Sequence, residues 1–573
     1  MMFALLPAIA FSTSLFPSPV LASVLAQSLP SDITPTLPPQ PQEPIPEPRP
    51  LPSPADLLPL PPVIAPPDAE WDVPGTVVVE QFRVVGSTVF SEAELSRATA
   101  PYTNRPLTFA ELFAARSAVT QLYVEAGYIT SGAYLPTDQV ISEGIVEIRV
   151  VEGTLEAIAI EGLERLNPNY VRSRIAVAAD SPLNVNRLIE GLQLLQLDPL
   201  IESLSADLAA GTQTGESLLT VTVAEADSTR ADLILDNGRS PTVGTFRRRA
   251  QLSEGNLLGL GDRLVLGYSQ TEGSDAWDIS YTVPFNAHNG TIGLLYSTSD
   301  SRVIEADFDI LDIESDAEGV ELTLRQPVWQ TPSQAFALAI TLSHDVSRST
   351  FQLPGTERLG FPTPGADAGG EIQITALRFS QDWTQRRADQ VIAVRSQFNL
   401  GTDWFEATLN ENDQPDSHFF SWQGQAQWVQ LLARDTLLLA RFNTQLADRP
   451  LLSLEQFRLG GEGSVRGYRQ DRTTADSGLF ASLEVRLPIL RIPEWESLVQ
   501  LTPFVDYGLA WNRGDRPNPE ADQLASIGLG LLWQASDRFT ARLDWGIPLI
   551  DDNAEGDSLQ ESGLLFTLSG QLF

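Results

Sequence analysis

The chain has 573 residues, with 74 acidic side chains against 37 basic ones and a formal net charge of -37 at pH 7. Every basic residue is an arginine and cysteine is absent. The acidic balance argues against a nucleic-acid partner, which needs a basic footprint. The missing thiols exclude disulfides, thiolate metal sites and cysteine nucleophiles.

So long a chain exceeds one ordinary core, and two or more domains are expected. Residues 1–26 are apolar and small, interrupted by Pro7, Pro17 and Pro19, and Val24-Leu25-Ala26 precedes Gln27 as a small-residue cleavage site would. They read as a secretory signal, although no basic residue precedes Arg49. Residues 27–75 are proline-rich and read as an extended linker. The one helical candidate in the linker is Ala55 to Leu60, interrupted by Pro59.

Residues 76–153 read as an α+β unit. Val77 to Val85 is β-branched and strand-like. Ser91-Glu92-Ala93-Glu94 has a capping-box pattern. Phe109 to Ala126 is a longer helix with Leu112, Val119 and Leu122 on one face. Strands over Ile129 to Leu135 and Gly144 to Glu152 complete the order β-α-α-β-β. Residues 154–227 repeat this order, with helices near Asn167 to Val177 and Asn184 to Leu195, and strands at Ala157 to Ile160, Ser203 to Ala209 and Ser217 to Ala224.

From 228 to 573 helical periodicity gives way to alternating segments. In Arg538 to Leu549, Arg542, Asp544 and Gly546 share one face, and Leu543, Trp545 and Ile547 the other. Aromatic residues near the ends of the apolar faces, and the long run of such segments, predict a transmembrane barrel of about sixteen antiparallel strands. The last segment, Phe566 to Phe573, has the look of a C-terminal assembly signal carried by Phe566, Gly570 and Phe573. Phe566, Leu568 and Leu572 face lipid, whereas alternation puts Phe573 on the polar face.

Within this barrel, Gly460 to Tyr468 is a glycine-rich loop ending in Val465-Arg466-Gly467-Tyr468. Further on, Phe504-Val505-Asp506-Tyr507-Gly508 lies on a strand whose Val505 and Tyr507 face lipid, so Phe504, Asp506 and Gly508 point inward. A guanidinium facing a carboxylate can bond through two parallel hydrogen bonds. Asn256 to Asp262 resembles a phosphate loop only superficially: it opens no helix and reads as a tight turn. With no lysine, nucleotide binding through a P-loop is excluded at Gly461 too. His288, His344 and His418 have no metal or catalytic spacing, so no metal, cofactor or catalytic residue is expected. Among Arg247-Arg248-Arg249, alternation sends Arg248 to the face opposite its neighbours.

The tandem of α+β units, with Gly127-Tyr128-Ile129 after the long helix and the closing Ile148 to Gly153, resembles two POTRA domains, at 76–153 and 154–227. The Val-Arg-Gly-Tyr loop resembles the hallmark loop of POTRA-plus-barrel outer-membrane proteins. Two POTRA units and sixteen strands resemble the TpsB-type, or haemolysin secretion/activation, transporters. That resemblance implies an inward-folded loop, here 451–475, whose Arg466 pairs with Asp506 on the thirteenth strand. It also implies a bacterial-type outer-membrane location with periplasmic POTRA domains, and two-partner secretion of large β-helical exoproteins. The partners expected are that exoprotein, outer-membrane lipid and the barrel-assembly machinery. The alternatives are a barrel-assembly insertase and a passive solute porin.

Overall fold

A computed structural model describes residues 53–59 and 75–573, apart from 138, 140–143, 412–413, 537 and 552–555. The predicted signal and most of the predicted linker lie outside the described residues.

The chain builds two small α+β units and a closed barrel. A four-residue helix, α1 (Pro54–Leu57), precedes the first unit. The first unit runs β1 (Thr76–Val79), β2 (Gln81–Val85), α2 (Glu92–Thr99), β3 (Arg105–Thr108), α3 (Phe109–Glu125), β4 (Gly132–Tyr134) and β5 (Ile145–Val151). The single strand expected over Val77 to Val85 is in fact two. The chain turns at Glu80, whose amide donates to Gly144 O at 2.7 Å. β1 then pairs with β3, a strand the sequence pattern did not disclose, while β2 joins the main sheet parallel to β5. Pro106 within β3 hid it, because proline argues against a strand interior. Helix α3 starts in a capping box: the Glu111 amide donates to Thr108 Oγ1, and the Thr108 amide to the Glu111 carboxylate. Its buried face is Leu112, Ala115, Val119 and Tyr123, with Leu122 only half-buried.

The second unit has the expected order: β6 (Thr154–Glu161), α4 (Pro168–Ala178), α5 (Val185–Gln196), β7 (Ile201–Ala210) and β8 (Glu216–Glu225), in a sheet of order β6-β8-β7. The two units repeat each other at individual residues. Gly86 and Gly162 both follow the first sheet strand with positive φ (+89° and +85°), each packed on a backbone oxygen of the central strand, Val150 and Val223. A β-carbon fits neither place. Glu152, directly after β5, and Glu225, the last residue of β8, clamp the loop behind that glycine. Glu152 accepts from the amides of Thr88 and Val89 at 2.7 and 3.1 Å and from Tyr123 Oη at 2.7 Å. Glu225 accepts from the amides of Glu164, Arg165 and Leu166 at 2.7–3.0 Å. Burial pushes both carboxyls up, but these donors outweigh it and hold both below the ordinary carboxylate range.

The barrel strands are β9 (Thr229–Asp236), β10 (Arg247–Gly255), β11 (Arg263–Gln270), β12 (Ser274–Pro284), β13 (Thr291–Arg302), β14 (Glu314–Gln330), β15 (Gln334–Phe351), a two-residue β16 (Leu359–Gly360), β17 (Glu371–Arg386), β18 (Gln390–Thr402), β19 (Phe420–Ala433) and β20 (Thr436–Ala447). The loop after β20 carries a hairpin of β21 (Phe457–Leu459) and β22 (Thr473–Ala475). The wall resumes with β23 (Ser477–Ile492), β24 (Ser497–Trp511), β25 (Gln523–Ala535), β26 (Phe539–Pro548) and β27 (Leu564–Gln571). Leaving out β16, β21 and β22, sixteen antiparallel strands close when β27 pairs with β9. Closure satisfies every strand edge, as a lipid environment requires. Trp277, Leu294, Leu483, Val505, Leu543 and Trp545 are exposed on the outer face, as alternation predicts.

The second unit is held against the short turns at one barrel end. The Asn167 amide donates to Gly259 O, Arg165 Nη2 to Glu254 at 2.8 Å, and Arg174 Nε to Asn289 at 2.7 Å. The Asn256 to Asp262 segment is the tight turn expected. Asp262 accepts from the Leu258 amide and Asn256 Oδ1 from the Gly261 amide. The loop 448–476 leaves the barrel at the opposite end.

Candidate functional site

The loop between β20 and β23, the eleventh and twelfth wall strands, folds into the lumen. Glycines allow its sharp course: Gly460, Gly461 and Gly467 have φ of +105°, +91° and +97°. At its tip Arg466 is 1% exposed and ranks among the largest fully buried side chains of the described residues.

Arg466 meets Asp506 on β24, the thirteenth strand, through two parallel bonds: Nε to Oδ2 at 2.8 Å and Nη2 to Oδ1 at 3.0 Å. Its backbone amide donates to the same carboxylate at 3.1 Å. Its guanidinium carbon stands 3.4 Å from the Phe504 ring centroid, in cation–π contact. Phe504 and Asp506 are two residues apart on one strand face, so one presents the stacking surface and the other the acceptor.

The remaining walls were not anticipated. Arg466 Nη1 donates to Glu484 Oε2 on β23 at 2.7 Å and lies 3.4 Å from Asp544 Oδ2 on β26. Arg542 on β26 bonds Glu484 at 2.6 Å and Asp544 at 2.7 Å, and Arg486 reaches Glu484 at 3.2 Å. Three guanidiniums thus meet three carboxylates, and the formal charges balance. A charge this deeply buried needs such partners.

The other loop residues fit a recess of glycines. Val465 is fully buried, and a β-carbon on Gly508 would stand 2.9 Å from Val465 Cγ2. Gly467 lies on the backbone of Gly546, where a β-carbon would come within 2.9 Å of the Gly546 carbonyl carbon. Gly528, opposite Gly546 in the register, leaves room for the Phe504 ring. Tyr468 is 2% exposed, its hydroxyl 2.9 Å from Ala525 O and 2.8 Å from Ile550 O.

The family description "Haemolysin secretion/activation protein ShlB/FhaC/HecB" matches residues 215–532, and "POTRA domain, ShlB-type" matches residues 77–153. The chain belongs to the haemolysin secretion/activation family. It is an outer-membrane transporter of the two-partner secretion type, with periplasmic POTRA domains. It is similar to the outer membrane transporter CdiB of Escherichia coli O6:K15:H31, with 26% identity over 470 residues, covering 80% of this chain and 75% of that protein. It also resembles the heme/hemopexin transporter protein HuxB of Haemophilus influenzae, at 22% identity, covering 73% and 72% of the two chains. Its fold matches the solved structure of CdiB from Escherichia coli with a TM-score of 0.68 and 22% identity, covering 89% of this chain and 93% of that one.

In this transporter the loop has a second anchor across the lumen. Glu455, near its start, takes two bonds from Arg378 on β17, at 2.6 and 3.1 Å. Farther along, Arg469 reaches Glu305, between β13 and β14, at 3.0 Å. At the seam Asn237, just past β9, donates through Nδ2 to Leu564 O, while its Oδ1 accepts from the Phe566 amide. Glu462 of the loop accepts from Thr567 on β27.

Phe573 departs from the expected phase for a simple reason. β27 ends at Gln571, so alternation does not extend to it. Leu572 and Phe573 are both exposed, and their backbones still pair with Ala231. Gly570 lies opposite Leu233 at the closing seam. Arg247 pairs with Asp236 and Arg249 with Asp278, while Arg248 is exposed with its guanidinium 5.4 Å from the Phe246 ring centroid. His344 Nδ1 lies 2.9 Å from Thr375 Oγ1, and no group of His, Cys, Asp or Glu among the described residues is placed to hold a metal.

Proposed function

We propose that the chain exports one or more large β-helical exoproteins. The POTRA pair captures the unfolded polypeptide, the barrel is its pore, and the Arg466 loop is the movable element that closes the lumen. The observation that carries this reading is the loop itself. It occupies the lumen, yet it is tethered at both ends and held at its tip by ionic bonds. Desolvation offsets much of the attraction in such bonds, so they add little net stability, but they single out one arrangement and penalise any that leaves a buried charge unpaired. A passing polypeptide can therefore replace the loop in an all-or-none step. Val465, Gly467, Tyr468, Phe504, Asp506 and Gly508 serve to place Arg466, and Phe566 and Gly570 on β27, with Phe573 just beyond it, form the C-terminal signal read during barrel assembly. Lipid and the assembly machinery are the partners of that biogenesis. The role is transport and not catalysis.

Deleting residues 76–225 tests the capture role. The barrel should still insert and export should cease. Normal export from that deletion would refute it.

A further inference from the structure

The second POTRA domain holds a piece of chain that precedes the first in sequence. Leu57 and Leu58 are 2% and 1% exposed and lie in the hydrophobic cluster of Leu188, Leu192, Leu195 and Leu204. The short α1 packs between α5 and β7, the helix and the edge strand of that domain. Ser53, Pro54, Ala55, Asp56 and Pro59 stay exposed, so only the two leucines enter. The turn is closed locally: the Asp56 and Leu57 amides donate to Ser53 O and the Leu58 amide to Pro54 O. So short a helix does not persist alone in water, and the groove therefore gives it its shape. Two adjacent buried leucines on an otherwise solvent-exposed turn are a peptide-in-groove arrangement.

The first domain differs. There α3 reaches the edge strand β4 directly, the Ala133 amide donating to Thr120 Oγ1 at 3.0 Å. Phe109 and Tyr134 remain exposed.

We propose that the groove between α5 and β7 is a binding site for short apolar peptides carrying two adjacent leucine-like side chains, and that residues 53–59 occupy it as a built-in ligand. A tethered ligand acts at an effective concentration of order millimolar, so a competing peptide must displace it. That the exported chain is this competitor rests on the function proposed above, whereas the peptide affinity of the groove does not.

The test uses the full chain, which has no cysteine of its own. A spin label is placed at Ala55→Cys, and the probe is a synthetic peptide of residues 51–60. The label should be immobilised in the otherwise unchanged protein and released by excess peptide. The same peptide carrying aspartate at both leucines should not release it. The Leu57→Asp/Leu58→Asp chain should bind the unmodified peptide at least tenfold more tightly than the original chain. A label mobile from the start, or one unmoved by saturating peptide, would overturn the proposal. Should the double variant fail to fold, competition on the intact segment decides alone. None of these readings involves export, so the fate of the 76–225 deletion is judged separately.

Discussion

Arg466 and Asp506 are forty positions apart in sequence, yet the loop amide and the guanidinium of Arg466 together place three hydrogen bonds of 2.8–3.1 Å on the one carboxylate. A single strand face supplies both that acceptor and the Phe504 ring against the guanidinium. The pair fixes where the loop tip stands and how it is turned.

Removing the charge of either partner leaves the other buried and uncompensated, at a cost of about 3–5 kcal/mol. Asp506→Asn is expected to release the loop tip while the barrel still folds. Export should fall at least tenfold, with heat-modifiable barrel mobility on gels unchanged. Arg466→Lys should do nearly the same, because an ammonium cannot form the planar two-bond contact. Wild-type export in both would show the pair to be ornamental.

Gly546→Ala tests the close backbone approach without touching a charge. The added β-carbon would stand 2.5 Å from the Gly467 amide nitrogen. Backbone cannot yield there as a side-chain end can, so the loop should lift from the wall. The expected readout is a higher ion conductance in planar bilayers. Unchanged conductance would mean that the loop stays seated by its ion pairs alone.

Glu455→Gln should loosen the base of the loop and leave its tip in place, since Arg378 and Arg466 hold different segments. Export should drop less than in Asp506→Asn. The combined variant should conduct more than the sum of the two singles, because either anchor keeps the loop inside. Strict additivity in conductance would speak against one loop held at two points.

In the POTRA domains the sign of the pH dependence follows from Glu152 and Glu225. Both are depressed in the fold from an ordinary value of 4.5. Their stabilisation is therefore complete above that value and disappears as pH falls through the lower folded value. Glu225→Gln should destabilise the second domain by about 1.5 kcal/mol at pH 7. The difference from the unmodified chain should shrink in thermal unfolding below pH 4. A difference that persisted in acid would assign the effect to packing.

Much of this was legible from the residues. Period-two alternation put Asp506 and Phe504 on the inner face, and counting segments put Arg466 between the eleventh and twelfth strands. The second α+β unit was readable because β6 and β8 carry β-branched residues and β7 alternates Leu204, Ala206 and Leu208 with polar or small neighbours. The first was misread at Glu80, because a turn inside a β-branched run leaves no compositional mark and Pro106 masked the partner strand.

The sequence by itself determined which side chains face lipid and which face the lumen, because the side-chain period of a strand is two. It could not set the height of one strand against the next. That register depends on the stagger with which all sixteen strands close. Glu484, Asp544 and Arg542 therefore surround Arg466 only once the barrel is shut. The contact of Leu57 and Leu58 with the second POTRA domain likewise depends on how the chain returns in space, and hydrophobicity alone does not specify which groove two leucines enter.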